Sequence, residues 1–156
     1  MPADPSDLLR PSLAHSAPRL SPYSLQALFL TSFFGGPLAA LGMLALNARR
    51  LGRLRRDVPW LVVALLAYVL LEAVLALSPA GRGFIAQADA WLGRRAIEYL
   101  VRALALAVFA LGLVMHRREH KAAELMGLTR PSPWLPALAL VFGCSLLAEL
   151  LRNFMQ

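Results

Sequence analysis

Four blocks of apolar residues, at about 24–46, 58–77, 96–115 and 133–151, divide the chain, and short charged segments separate them. Each block is long enough to cross a bilayer, because ~20 residues rising ~1.5 Å each cover the ~30 Å hydrocarbon core. Within lipid a lone block must satisfy its own backbone hydrogen bonds, and the helix is the form that does so. The expectation is an all-α polytopic membrane protein, a bundle of four transmembrane helices occupying residues 23–156. Composition points the same way: 58% of the residues are hydrophobic and 16% charged, too few polar side chains to cover a small soluble domain.

The first block differs from the others at its centre, which reads Thr31-Ser32-Phe33-Phe34-Gly35-Gly36-Pro37-Leu38-Ala39-Ala40. Pro37 cannot donate to the Phe33 carbonyl and its ring crowds that turn, so a bend is expected. The freed carbonyl would look to a neighbouring helix, or to the hydroxyls of Thr31 and Ser32. Gly35 with Ala39, and Gly36 with Ala40, are small residues four apart, a smooth stripe on which another backbone can approach closely. This block is therefore read as a proline-bent spanning helix at the centre of the bundle.

Ahead of it, residues 1–22 carry Pro2, Pro5, Pro11, Pro18 and Pro22 without a period, the composition of a mobile tail. A cleaved leader is not expected, since the first apolar run is too long for a signal core and lacks a small-x-small site behind it.

The net charge of +7 would suggest nucleic acid in a soluble protein. Here the arginines flank apolar blocks, the pattern of topology determinants and of contact with lipid head groups. No nucleic-acid module is visible, and the bilayer is the expected partner. With four crossings, nine Lys and Arg fall on one side, in the loops after the first and third blocks, and six on the other. The positive-inside rule then places both termini on the periplasmic side.

Few residues could carry chemistry. Glu72 lies near the end of the second block, Glu98 and Arg102 near the start of the third, and Glu149 near the end of the fourth. Antiparallel neighbours would gather them into one polar layer in one leaflet. A charge at the centre of a membrane helix costs about 2.5–3.5 kcal/mol, less near its edge, so these should face inward and pair. Glu72 with Arg102 is the expected pair, with Glu149 taking Arg102 or Arg152 or staying protonated. The layer can be interhelical glue, an ion path, or a seat for a polar head group. Tyr68 and Glu72, four apart, share a face.

His116-Arg117-Arg118-Glu119-His120 matches the His-x-x-Glu-His pattern of some zinc peptidases. Its setting at the end of a membrane helix suggests a solvated basic face, and no metal or cofactor is expected. The single cysteine, Cys144, excludes an internal disulfide and reads as a small packed hydrophobe. No histidine lies within a block to ligate haem, and no phosphate loop or nucleophile elbow is present.

Phe33-Phe34-Gly35-Gly36-Pro37-Leu38-Ala39-Ala40, followed by Asn47 and then Leu51-Gly52, resembles the opening of uncharacterised small multi-pass bacterial membrane proteins. The likeness covers roughly residues 30–55. It implies a bacterial inner membrane and carries no activity. The leading expectation is a non-enzymatic integral membrane protein acting through helix packing, as a homo-oligomer or with a membrane protein partner. The alternative is a small transporter or flippase component that uses the Glu72, Glu98, Arg102 and Glu149 layer.

Overall fold

The computed structural model describes residues 20–93, 95–125 and 129–155, with side chains omitted at 151, 152, 154 and 155. The described residues form five helices and no strand: α1 (Leu25–Arg50), α2 (Leu54–Leu77), α3 (Pro79–Leu92), α4 (Ala96–Leu125) and α5 (Trp134–Met155). By contour, α1, α2 and α4 are long and apolar enough to cross a membrane, and α5 contributes a shorter apolar stretch, Trp134–Leu150.

α1 is the centre of the molecule, packing against α4, α5 and α2, but it is not the gently bent rod expected from the sequence. Its helical dihedrals break at Gly36, which adopts φ 72° and ψ −169°. This region of the map is open essentially to glycine alone. The extended ψ is the one required of a residue preceding proline. Pro37 thus opens a new helix, in the first position where its missing N–H costs nothing, and the break belongs to Gly36 rather than to a proline kink.

The two limbs, residues 25–35 and 37–50, run back alongside each other. The Tyr23 N–H donates to Asn47 Oδ1 at 2.8 Å. Arg50 Nε donates to the Ser21 carbonyl at 2.7 Å, and its guanidinium lies 5.0 Å from the centre of the Tyr23 ring. In a straight helix, residues 23 and 47 would stand ~36 Å apart. α1 is a helical hairpin with both ends at one side of the bundle and its apex at Gly36. The two ends of 24–46, expected at opposite sides, therefore lie at the same side of the bundle.

Small and hydroxyl side chains make this close return possible. Ala39 and Ala40 are 0% and 1% exposed, and Leu28, Met43 and Leu44 fill the space beside them. Thr31 and Ser32 are buried too, and return their hydroxyls to the carbonyls of Ala27 and Leu28 at 2.7 Å each, so neither is left unsatisfied. A methyl on Gly35 would collide with the Ala39 side chain and lie 3.1 Å from the Val141 Cα of α5. Gly35, Pro37, Ala39 and Ala40 face the rest of the protein, whereas Gly36, expected in the same stripe with Ala40, stands at the apex, where an added Cβ would meet only Val101 Cγ1 at 3.8 Å.

The hairpin ends in a Schellman turn. Arg53 N–H reaches the Ala48 carbonyl at 2.8 Å and Gly52 N–H the Arg49 carbonyl at 3.1 Å, with Gly52 at φ 70°. α2 consequently starts at Leu54, earlier than Pro59 suggests. At its far end Ser78 caps α3, accepting from Gly81 N–H at 2.9 Å, with Pro79 in the first turn. α3 bridges α2 and α4 and exposes Phe84 and Trp91, the profile of an interfacial helix. Of the segment read as a tail, residues 1–19 lie outside the described residues, while Ser21 and Pro22 are buried.

Candidate functional site

The hairpin is short. Residues 25–35 rise ~16 Å, about half the thickness of a hydrocarbon core, so its apex stops near mid-height while α2, α4 and α5 continue. The room above it is a pair of cavities that share Phe34, Gly36 and Val101 as walls. The larger, about 450 Å³, lies among the apex, α2, α3 and α4 and is lined by Glu72, Arg82, Glu98, Arg102, Phe33 and Phe34, among others. The smaller, about 230 Å³, lies between the apex and α5 and is lined by Tyr68, Cys144, Ser145 and Glu149 together with Pro37. An apolar groove of about 550 Å³ runs below, between the first limb and α5, from Ser24 to Phe142. Phe34, 68% exposed, borders all three spaces.

Glu72, Glu98 and Arg102 therefore meet around one space, with Glu149 in the adjoining one. The expected Glu72–Arg102 pair is not formed. Arg102 Nη2 instead lies 3.9 Å from Glu98 Oε2, one turn earlier on its own helix, and its guanidinium is 5.5 Å from the centre of the Phe33 ring. Glu72 and the Glu98–Arg102 pair line the same cavity from α2 and α4 without an ion pair across it. An exposed pair one turn apart contributes little. Among the described residues, Glu72 and Arg82 have no ionic partner. Glu149 is exposed, and the proposed Arg152 partner falls on a side chain that is not described. Cys144 is half-buried against the smaller cavity rather than packed away.

A helix broken at mid-height changes what the cavities meet. The first limb ends and the second begins at Gly36, and helix ends leave N–H and C=O groups without intrahelical partners. Irregular backbone at membrane depth is tolerated where it is buried in protein or lines a watery cavity. Gly36 is in both cavity walls. The apex thus offers the partial positive charge of one limb's N-terminus beside the partial negative charge of the other's C-terminus.

At the opposite end, the hairpin's feet meet a second polar group that sequence reasoning misassigned. His116 and His120, expected on a solvated face, are 3% and 7% exposed. Asp57, 2% exposed in the first turns of α2, lies 2.8 Å from His116 Nε2 through its Oδ2. Arg53 pairs with Glu119 and lies 3.9 Å from Asp57 Oδ1. This network ties α2 to α4 across the end of α1. Burial, with His116 and Arg130 nearby, lowers the pKa of His120, which lies beyond the apolar stretch 96–115, to about 4. Among the described residues, His116 Nδ1, His120 Nε2 and Asn47 Nδ2 are buried without a hydrogen-bond partner. No group of three or more His, Cys, Asp or Glu among the described residues is arranged to hold a metal ion. The signal for burial was Asp57 itself, an acid inside an arginine-rich segment, which needs a partner as its helix leaves the surface.

Comparison of the chain with protein-family models, with curated proteins and with solved structures finds no match.

Proposed function

We propose that this is a non-enzymatic integral membrane protein of the small transporter or carrier type, which receives a polar or amphiphilic ligand in the cavities above the α1 apex. In this reading α2, α4 and α5 cross the bilayer, α1 is re-entrant, and α3 lies at the far interface. The observation that carries it is the meeting of a broken helix with Glu72, Arg82, Glu98 and Arg102 around one space. Membrane carriers use discontinuous helices at mid-depth in this way, aiming limb ends at charged substrate groups. Charges at such depth normally mark a pathway or a ligand seat. Less supports the bundle-glue reading of this layer, since among the described residues no ion pair joins two helices within it.

The re-entrant hairpin also revises the topology. The tail, the Arg49–Arg56 cluster and the loop after α4 now share one side, which holds eleven Lys and Arg against four on the other. We place the eleven in the cytoplasm of a bacterial inner membrane, with the N-terminus cytoplasmic and the C-terminus periplasmic. A second reading, assembly with another copy or a partner protein, is favoured by α2, whose apolar residues stay exposed along its length.

Cys144, the single thiol, borders the smaller cavity and serves as the reporter. In protein reconstituted into vesicles, a charged methanethiosulfonate reagent should label Cys144 with the bilayer intact. A Cys144 that reacts only with a membrane-soluble maleimide would mean the cavities are filled by lipid chains, and the carrier reading would fail.

A further inference from the structure

Resting on that reading, we infer that the larger cavity is a seat for an aminophosphate head group: a phosphate and a primary ammonium on one short linker, carried by a phospholipid. The cavity sets two demands on its ligand. Its ionisable wall comprises two acids, Glu72 and Glu98, and two bases, Arg82 and Arg102, so a guest without net charge leaves the balance undisturbed. Its two signs are also not consumed internally. Glu98 and Arg102 make one long contact at 3.9 Å, and Glu72 and Arg82 make no ion pair among the described residues. A bare anion would satisfy the arginines and leave the Glu72 carboxylate at membrane depth facing a like charge. A bare cation would do the reverse. A zwitterion answers both.

The roles follow from donor chemistry. Arginine presents a planar fork that matches phosphate oxygens, and Arg82 on α3 faces the same space as Arg102 on α4. Glu72, on α2, is an acceptor and suits an ammonium carrying N–H donors. Most of the remaining wall, including Phe33, Leu75, Ile85 and Val101, is apolar, so glycerol and acyl chains meet mainly hydrocarbon.

The depth fits a lipid. Glu72 lies five residues before the end of α2 and Arg102 six after the start of α4, about 7–9 Å below the helix ends. A head group drawn in from the leaflet beside α3 needs to sink by only that distance. At about 450 Å³ the space is within the range of ordinary ligand sites.

The test uses the full chain, delipidated in detergent and examined by native mass spectrometry with one added lipid at a time. Phosphatidylethanolamine should be retained about tenfold better than phosphatidylcholine, whose quaternary ammonium has no N–H to give. Glu72→Gln should remove most of that preference while leaving retention of phosphatidic acid as strong or stronger, since the like charge is gone. Arg82→Gln with Arg102→Gln should abolish retention of both. Soluble phosphorylethanolamine should compete with the lipid only weakly; full displacement would assign the site to a free aminophosphate instead. Retention of anionic lipid alone, unaltered by Glu72→Gln, would overturn the zwitterion assignment. So would the absence of any lipid-specific retention in a protein whose Cys144 still reacts with the charged reagent, although the open cavity would then stand.

Discussion

Replacing Gly36 with alanine separates a hairpin from a bent rod by the sign of its effect. At φ 72° and ψ −169° a side chain is strained whatever the space around it, and the space is generous: the nearest atom to an added Cβ is Val101 Cγ1 at 3.8 Å. The cost is therefore conformational and amounts to about 1–3 kcal/mol. In a continuous helix the same change would stabilise by ~0.5–1 kcal/mol, because alanine loses less entropy there than glycine. Pro37→Ala gives the converse contrast. At the first position of a limb, losing proline should cost ~0.4–1 kcal/mol through the unfolded chain, whereas removing it from a helix interior would recover ~3 kcal/mol. Reversible unfolding in mixed micelles, by titration with a denaturing detergent, measures both. Spin labels at Gln26 and Arg49, both exposed, supply the geometry. A straight helix holds these positions ~35 Å apart, and a hairpin holds them within about two helix diameters, ~20 Å. A stabilising Gly36→Ala together with a ~35 Å label distance would refute the hairpin and the site above it.

Three further outcomes are expected. Asp57→Ala should destabilise the protein by about 1–3 kcal/mol in the same assay, since it strips the buried His116 Nε2 of its partner and leaves Arg53 with Glu119 alone; an unchanged midpoint would show the network to be idle. His120 takes up its proton in the fold at about pH 4 rather than near its ordinary 6.5, because burial disfavours the charged ring, with His116 and Arg130 nearby. The unfolded chain therefore binds a proton first, so stability is full above about pH 6.5, falls as the pH drops, and levels off near 4; His120→Gln should flatten that slope, and a slope of unchanged steepness would exclude His120 as its source. Glu72→Gln and Arg102→Gln should have additive effects on thermal stability in ligand-free detergent, because no direct pair joins them; a double variant that recovers the loss would restore the direct pair.

The helices were legible in the sequence because apolar blocks of some twenty residues leave few alternatives; of the small residues at 35–40, Gly35 lies against the α5 backbone at Val141 while Gly36 stands open at the apex. Gly36 and Pro37 announced an interruption without giving its angle. The difference between a bend and a full return lies in one glycine dihedral, and that dihedral is stabilised by Asn47, Ser21 and Arg50, remote in sequence. Glu72, Glu98 and Arg102 stood out because charges in apolar blocks are costly wherever they sit, and they line one cavity, with Glu149 in the adjoining one. Their pairing did not: pairing depends on lateral distance between α2 and α4, and the hairpin that leaves a cavity between them is invisible in either segment. His116 and His120 were misjudged for the same kind of reason. Their run of charged neighbours reads as solvent-facing, yet a helix buries one side and exposes the other, and Asp57 waits on the buried side.

The return of α1 on itself also sets an order of events during synthesis. In the re-entrant reading neither limb spans the membrane alone, and their hydroxyl and amide groups are sheltered by helices made later. Gly35 finds its place against Val141, about a hundred residues downstream, which at 5–20 residues per second means a wait of roughly 5–20 s. The first segment to leave the ribosome is thus among the last to be completed. On that reading the hairpin waits at the insertion machinery or the membrane surface until α5 arrives, and a chain stopped before α5 would present an unfinished half-span to quality-control proteases.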